Sequence, residues 1–94
     1  MSKAMYRSQI ASKRNHLESL KDSAARIRES KKRRMESLAS SIKHASSPSA
    51  KASYRKQKIS AREQFDRQLD GYKRQIESVR KSIAQLRQQM ARAK

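Results

Sequence analysis

Apolar residues recur along the first half of the chain at Tyr6, Ile10, Leu17, Leu20, Ala24, Ile27, Met35, Leu38 and Ile42. Steps of three, four and seven mark a helix that buries one narrow stripe. A second stripe, Phe65, Leu69, Tyr72, Ile76, Val79, Ile83, Leu86 and Met90, keeps alternating steps of four and three without a break. Between them lies Ser46-Ser47-Pro48-Ser49, which holds the chain's single proline. The pattern predicts a first helix over about 3–45, a turn over about 46–48 and a second helix over about 49–93, all within one domain, 1–94. Ser47 is placed to cap the second helix, with Pro48 at its first position, where the missing N–H costs nothing.

Folding the chain at Pro48 sets Ile10 against Leu86, Leu17 against Val79, Leu20 against Ile76, Ile27 against Leu69 and Ile42 against Tyr54. Ala24 falls opposite Tyr72, small against large, as interdigitating layers require. The predicted fold class is therefore all-α: two long helices in an antiparallel coiled-coil hairpin. A heptad seam fills about two positions in seven, so a lone hairpin buries a single stripe. Small scaffolds of this kind gain stability by assembly, and a four-helix bundle is expected, formed as a dimer or with another helical protein. The first seam has one irregularity, a step of eight from Ile27 to Met35 filled by Lys31, which reads as a local unwinding of the supercoil. Lys31 is expected to face Phe65, either with its cation over the ring or with its stem packed and its ammonium in water. Gly71 sits at an outward position of the second helix, where it costs about 1 kcal/mol relative to alanine.

With the seam fixed, the positions that border it fall into two sets. One border carries Arg14, Lys21 and Arg28 from the first helix and Lys73, Arg80 and Arg87 from the second, relieved only by Asp66. This is a basic ridge suited to an anion or an acidic partner. The other border carries Gln9, His16, Ser23, Ser30 and Ser37 with Gln68, Gln75, Ser82 and Gln89, and no fixed charge. A second hairpin can approach that side without desolvating ions, which makes it the expected docking border.

Charge strengthens the first of these readings. Twenty-five Lys and Arg against eight Asp and Glu give a net charge of +17 on 94 residues, a potential that draws in polyanions such as nucleic acid, anionic lipid or acidic protein. The run Lys31-Lys32-Arg33-Arg34 adds a basic cluster, although a 3.6-residue period splays its members around the helix. Chemistry is thin by comparison. His16 and His44 stand 28 positions apart on one helix, roughly 40 Å at the α-helical rise. The acids Glu18, Asp22, Glu29, Glu36, Glu63, Asp66, Asp70 and Glu77 are scattered outward, mostly near a Lys or Arg, in the manner of helix-surface pairs. With no glycine loop and no cysteine, neither a phosphate cradle nor a thiolate site is expected. No catalytic residue, metal ligand or cofactor is assigned, and the reading is non-enzymatic. No stretch approaches the length of a membrane span or of a signal-peptide core. The expected location is cytoplasmic, or exported without a cleaved signal.

The hairpin of just under a hundred residues, broken near its midpoint, together with the run Tyr72-Lys73-Arg74-Gln75-Ile76-Glu77-Ser78-Val79-Arg80-Lys81-Ser82-Ile83, resembles the small WXG100/Esx-like proteins of type VII secretion and their helical partner proteins. The chain has no Trp-x-Gly turn, and Tyr72 is followed four residues later by Ile76 rather than an acid. The resemblance therefore implies a partner or adaptor rather than a self-sufficient secreted substrate. The alternative is a nucleic-acid binder that contacts phosphates without sequence preference through the ridge. Its aromatic residues sit on or beside the seam, which leaves no expected platform for stacking bases.

Overall fold

The computed structural model describes residues 1–93 and contains two helices, α1 (Lys3–His44) and α2 (Pro48–Arg92), joined by residues 45–47. The described residues contain no strand, and the fold is an all-α helical hairpin. Pro48 opens α2, at the first position expected from the Ser47 cap, and the residues between the helices are Ala45, Ser46 and Ser47, against an expected turn over about 46–48. The cause is the predicted cap: Ala50 N–H donates to Ser47 Oγ at 3.1 Å and Lys51 N–H to the Ser47 carbonyl at 3.1 Å. Proline's fixed φ then suits the first helical position. Ser2 does the same for α1, accepting from Met5 N–H through its hydroxyl at 3.2 Å and from Tyr6 N–H through its carbonyl at 3.2 Å. At the other end of α1, Lys43 and His44 lie in the last turn, where the helix dipole favours cations.

The packing divides into two compact units, the first made of residues 1–23 and 71–94, the second of residues 24–70. In the first unit Ile10, Leu20, Val79 and Ile83 form a buried cluster, with Leu17, Tyr72, Ile76, Leu86 and Met90 packed against it. In the second, Ala24 and Leu38 are buried, and Ile27, Met35, Ile42, Tyr54, Phe65 and Leu69 are half-buried. Among the described residues no side chain is completely enclosed, because two helices can cover a seam from two sides only. Each of the four cluster residues gains roughly 1.5–3 kcal/mol from the water it loses.

Lys31 departs from the sequence expectation. It is half-buried, but its Nζ lies 2.6 Å from Asp66 Oδ1, so its charge ends on a carboxylate rather than over the Phe65 ring. A lysine stem is long enough to cross the seam, and an oppositely charged partner there outweighs a ring quadrupole. Asp66 pairs with Lys31 in the second unit through Oδ1. Gly71 keeps an ordinary helical backbone, and a β-carbon built on it meets nothing within 4 Å.

The packing sets the expected effect of three substitutions. Leu20→Ala should lower the unfolding free energy by about 2–4 kcal/mol, while Ile59→Ala, at a side chain 58% exposed, should change it by under about 0.5 kcal/mol. Chemical denaturation monitored by helicity measures both. Gly71→Ala should raise stability by about 0.5–1 kcal/mol, since it removes unfolded-state entropy without a clash, and thermal melting detects this as an upward shift.

Candidate functional site

The first unit presents a recess on each side of its seam. On one side Arg14 from α1 and Arg80 and Arg87 from α2 line an opening of about 300 Å³ with Leu17, Ile83 and Ala84, and no carboxylate lines it. The helical repeat explains the grouping: Arg80 and Arg87 are two turns apart on one face, and Ala84 between them is too small to fill the gap. The structure thus brings together three of the six ridge residues. Lys21 turns instead toward Glu18, at 3.9 Å, Lys73 is exposed on α2, and Arg28 is exposed on α1 in the second unit. Three exposed guanidinium groups around one opening raise the positive potential there. An anion seated in the opening would be attracted by all three.

On the opposite side, Gln9, Ser12, Lys13, Ser82, Gln85, Leu86 and Gln89 line a recess of about 310 Å³. Gln9, Ser82 and Gln89 are the expected docking residues, while Ser12, Lys13 and Gln85 were not assigned to it from the heptad pattern. Lys13 gives this border a cation where none was expected. Lys13 stands one turn after Gln9 on the same face of α1, at the position between Ile10 and Leu17 that the apolar stripe skips. His16 and Gln75 are exposed and Ser23 half-buried elsewhere in this unit, and Ser30, Ser37 and Gln68 belong to the second unit, all but Ser23 exposed.

The second unit separates its charges onto two openings. Glu63, Asp66, Arg67 and Asp70 line one. Arg34, Lys56, Gln57, Ser60, Ala61, Gln64 and Phe65 line another, of about 470 Å³, with no acid among them. Phe65, half-buried in the seam, also lines this outer opening. The separation of charge has a counterpart in the chain: no Asp or Glu occurs from residue 37 to residue 62, a stretch that holds Lys43, Lys51, Arg55, Lys56, Lys58 and Arg62.

Among the described residues no group of three His, Cys, Asp or Glu side chains is placed to hold a metal ion, and no helix is long and apolar enough to cross a membrane. Both histidines, His16 and His44, are exposed. Comparison with protein-family profiles, with curated proteins and with solved structures found no match to this chain.

Proposed function

We propose that this chain is a non-enzymatic interaction protein whose partner is another helical protein of net negative charge, docked on the Gln9–Ser82–Gln89 side of the first unit. The recess on that side carries the reading: seam residue Leu86 is exposed to it, and its walls are the hydroxyls and amides of Gln9, Ser12, Ser82, Gln85 and Gln89. A helix laid into such a groove finds an apolar contact and neutral hydrogen-bonding walls, which cost less to desolvate than guanidinium groups. Lys13 offers one cation to a partner carboxylate. A second copy of this chain is the poorer occupant, because it brings a further +17 of like charge. A partner hairpin in this place completes a four-helix bundle. In the setting implied by the resemblance to type VII secretion proteins, this is the role of a small partner or adaptor.

A second reading rests on the other side. Arg14, Arg80 and Arg87 share one acid-free opening, which suits phosphates of a nucleic acid bound without sequence preference.

One set of titrations separates the two. The probes are a synthetic acidic amphipathic helix with leucine at its heptad core positions and a short random DNA duplex, each titrated into the full chain. Ser12→Glu with Gln85→Glu, which set carboxylates against the acidic helix, should weaken peptide binding about tenfold, the equivalent of about 1.4 kcal/mol, and weaken duplex binding on the Arg80–Arg87 side far less. Peptide binding that survives that pair of changes, but is lost in Arg80→Glu with Arg87→Glu, would move the partner surface to the ridge. Duplex binding at 50 mM salt that is unaffected by the Arg80 and Arg87 reversals would remove the ridge from the account.

A further inference from the structure

We infer that the second unit carries a site for single-stranded nucleic acid in the recess formed by Arg34, Lys56 and Phe65, apart from either surface of the first unit. Two requirements define such a site: cations that track the phosphates, and an aromatic ring on which a base stacks. The recess supplies both. Arg34 comes from α1 and Lys56 from α2, and both side chains are exposed. Lys56, Gln57, Ser60, Ala61 and Gln64 follow the spacing of one helical face, so this stretch of α2 presents Gln57, Ser60 and Gln64 as hydrogen-bonding groups beside the ring. Ala61 stands one turn before Phe65, and its short side chain leaves the approach to the ring open. The opening, about 470 Å³, falls within the usual range for small-ligand sites.

The electrostatics favour a polyanion here over a neutral aromatic ligand. The nearby carboxylate of Asp66 is held by Lys31 at 2.6 Å, and Glu63, Asp66 and Asp70 line a different opening. The acid-free stretch from 37 to 62 contributes Lys43, Lys51, Arg55, Lys58 and Arg62 in addition to Lys56, none of them buried. By the helical period Lys51, Arg55, Lys58 and Arg62 fall on the other side of α2, so they raise the positive potential of the unit as a whole and the recess itself is served by Arg34 and Lys56. An acidic polypeptide would be drawn by the same charges, but it has no regular array of flat rings to match Phe65. A duplex keeps its bases stacked inside and likewise leaves the ring unused. Ring and charge together select single strands.

The test uses the full chain and a fluorescent oligothymidylate of about 15 nucleotides, within the span of known single-strand sites. Phe65→Leu keeps an apolar seam residue and should lower oligonucleotide affinity about tenfold, with helicity unchanged. Arg34→Gln with Lys56→Gln, at two exposed positions, should reduce the slope of log affinity against log salt by about 1.4, the value for two phosphate contacts on a single strand. Phe65→Trp gives a lone indole, because the chain has no other tryptophan. Its emission should be quenched by the oligonucleotide and not by duplex DNA or polyglutamate, and the quenching should persist when Arg80 and Arg87 are reversed to Glu. Wild-type affinity in Phe65→Leu, an unchanged salt slope in the Arg34 and Lys56 variant, or equal quenching by polyglutamate would each overturn the proposal, the last in favour of an acidic peptide site.

Discussion

The contact among Ile10, Leu20, Val79 and Ile83 holds the first unit together against a charge that works to open it. Those four side chains, with the half-buried residues around them, form an apolar cluster shared by the two stretches of the first unit. The cations of this unit include Arg14, Arg80 and Arg87 around one opening, where no acid intervenes. Apolar burial is short-ranged and indifferent to salt, whereas repulsion among exposed cations is screened within about 8 Å at physiological ionic strength. The seam therefore prevails in ordinary buffer, and salt or a bound anion adds to its margin. Specificity of pairing comes from the same residues, because a one-step slip of either helix would carry Leu20 or Val79 out of the seam and bring a charged neighbour, Lys21 or Arg80, toward it.

In the second unit the seam is thinner and polar contacts take a larger part. Only Ala24 and Leu38 are buried there, and the chain crosses between helices through a three-residue turn whose backbone donors are met by Ser47. Lys31 interrupts the apolar stripe, and the ion pair with Asp66 makes that interruption tolerable: the stem packs, and the ammonium meets a partly solvated carboxylate. An exposed pair of this kind contributes at most about 1 kcal/mol. Its larger consequence is local, since it removes Asp66 from any contest for the neighbouring cations.

The two helices and the residues they bury were legible in the sequence because they depend on quantities a sequence displays directly. Heptad spacing names Ile10, Leu20, Ala24, Leu38, Val79 and Ile83, and Ser47-Pro48 marks the break by the capping preference of one residue and the fixed φ of the next. The lining of the recesses was less legible. Heptad position says where a Cβ points, but the reach of Lys31 to Asp66 depends on four rotatable bonds and on which charges stand nearby, and Lys13 is passed over when only apolar residues are counted into the stripe. Phe65 was read as a seam residue only, because a heptad assignment treats a large ring as wholly inside. A side chain of that size, next to Ala61, contributes to the seam and to an outer opening together. The segregation of acids away from residues 37–62 was visible along the chain, but it acquired meaning only when Arg34 from α1 was placed beside Lys56 and Phe65 from α2.

Closure of the two helices on each other within one chain underlies every surface described above, and one crosslinking measurement addresses it directly. A chain with Leu20→Cys and Ile76→Cys, which has no other cysteine, is oxidised at low protein concentration and resolved by mass without reductant. The account predicts a crosslinked species of single-chain mass. Crosslinks found exclusively between chains would contradict it, and would mean that the seam residues of α1 and α2 meet across two molecules.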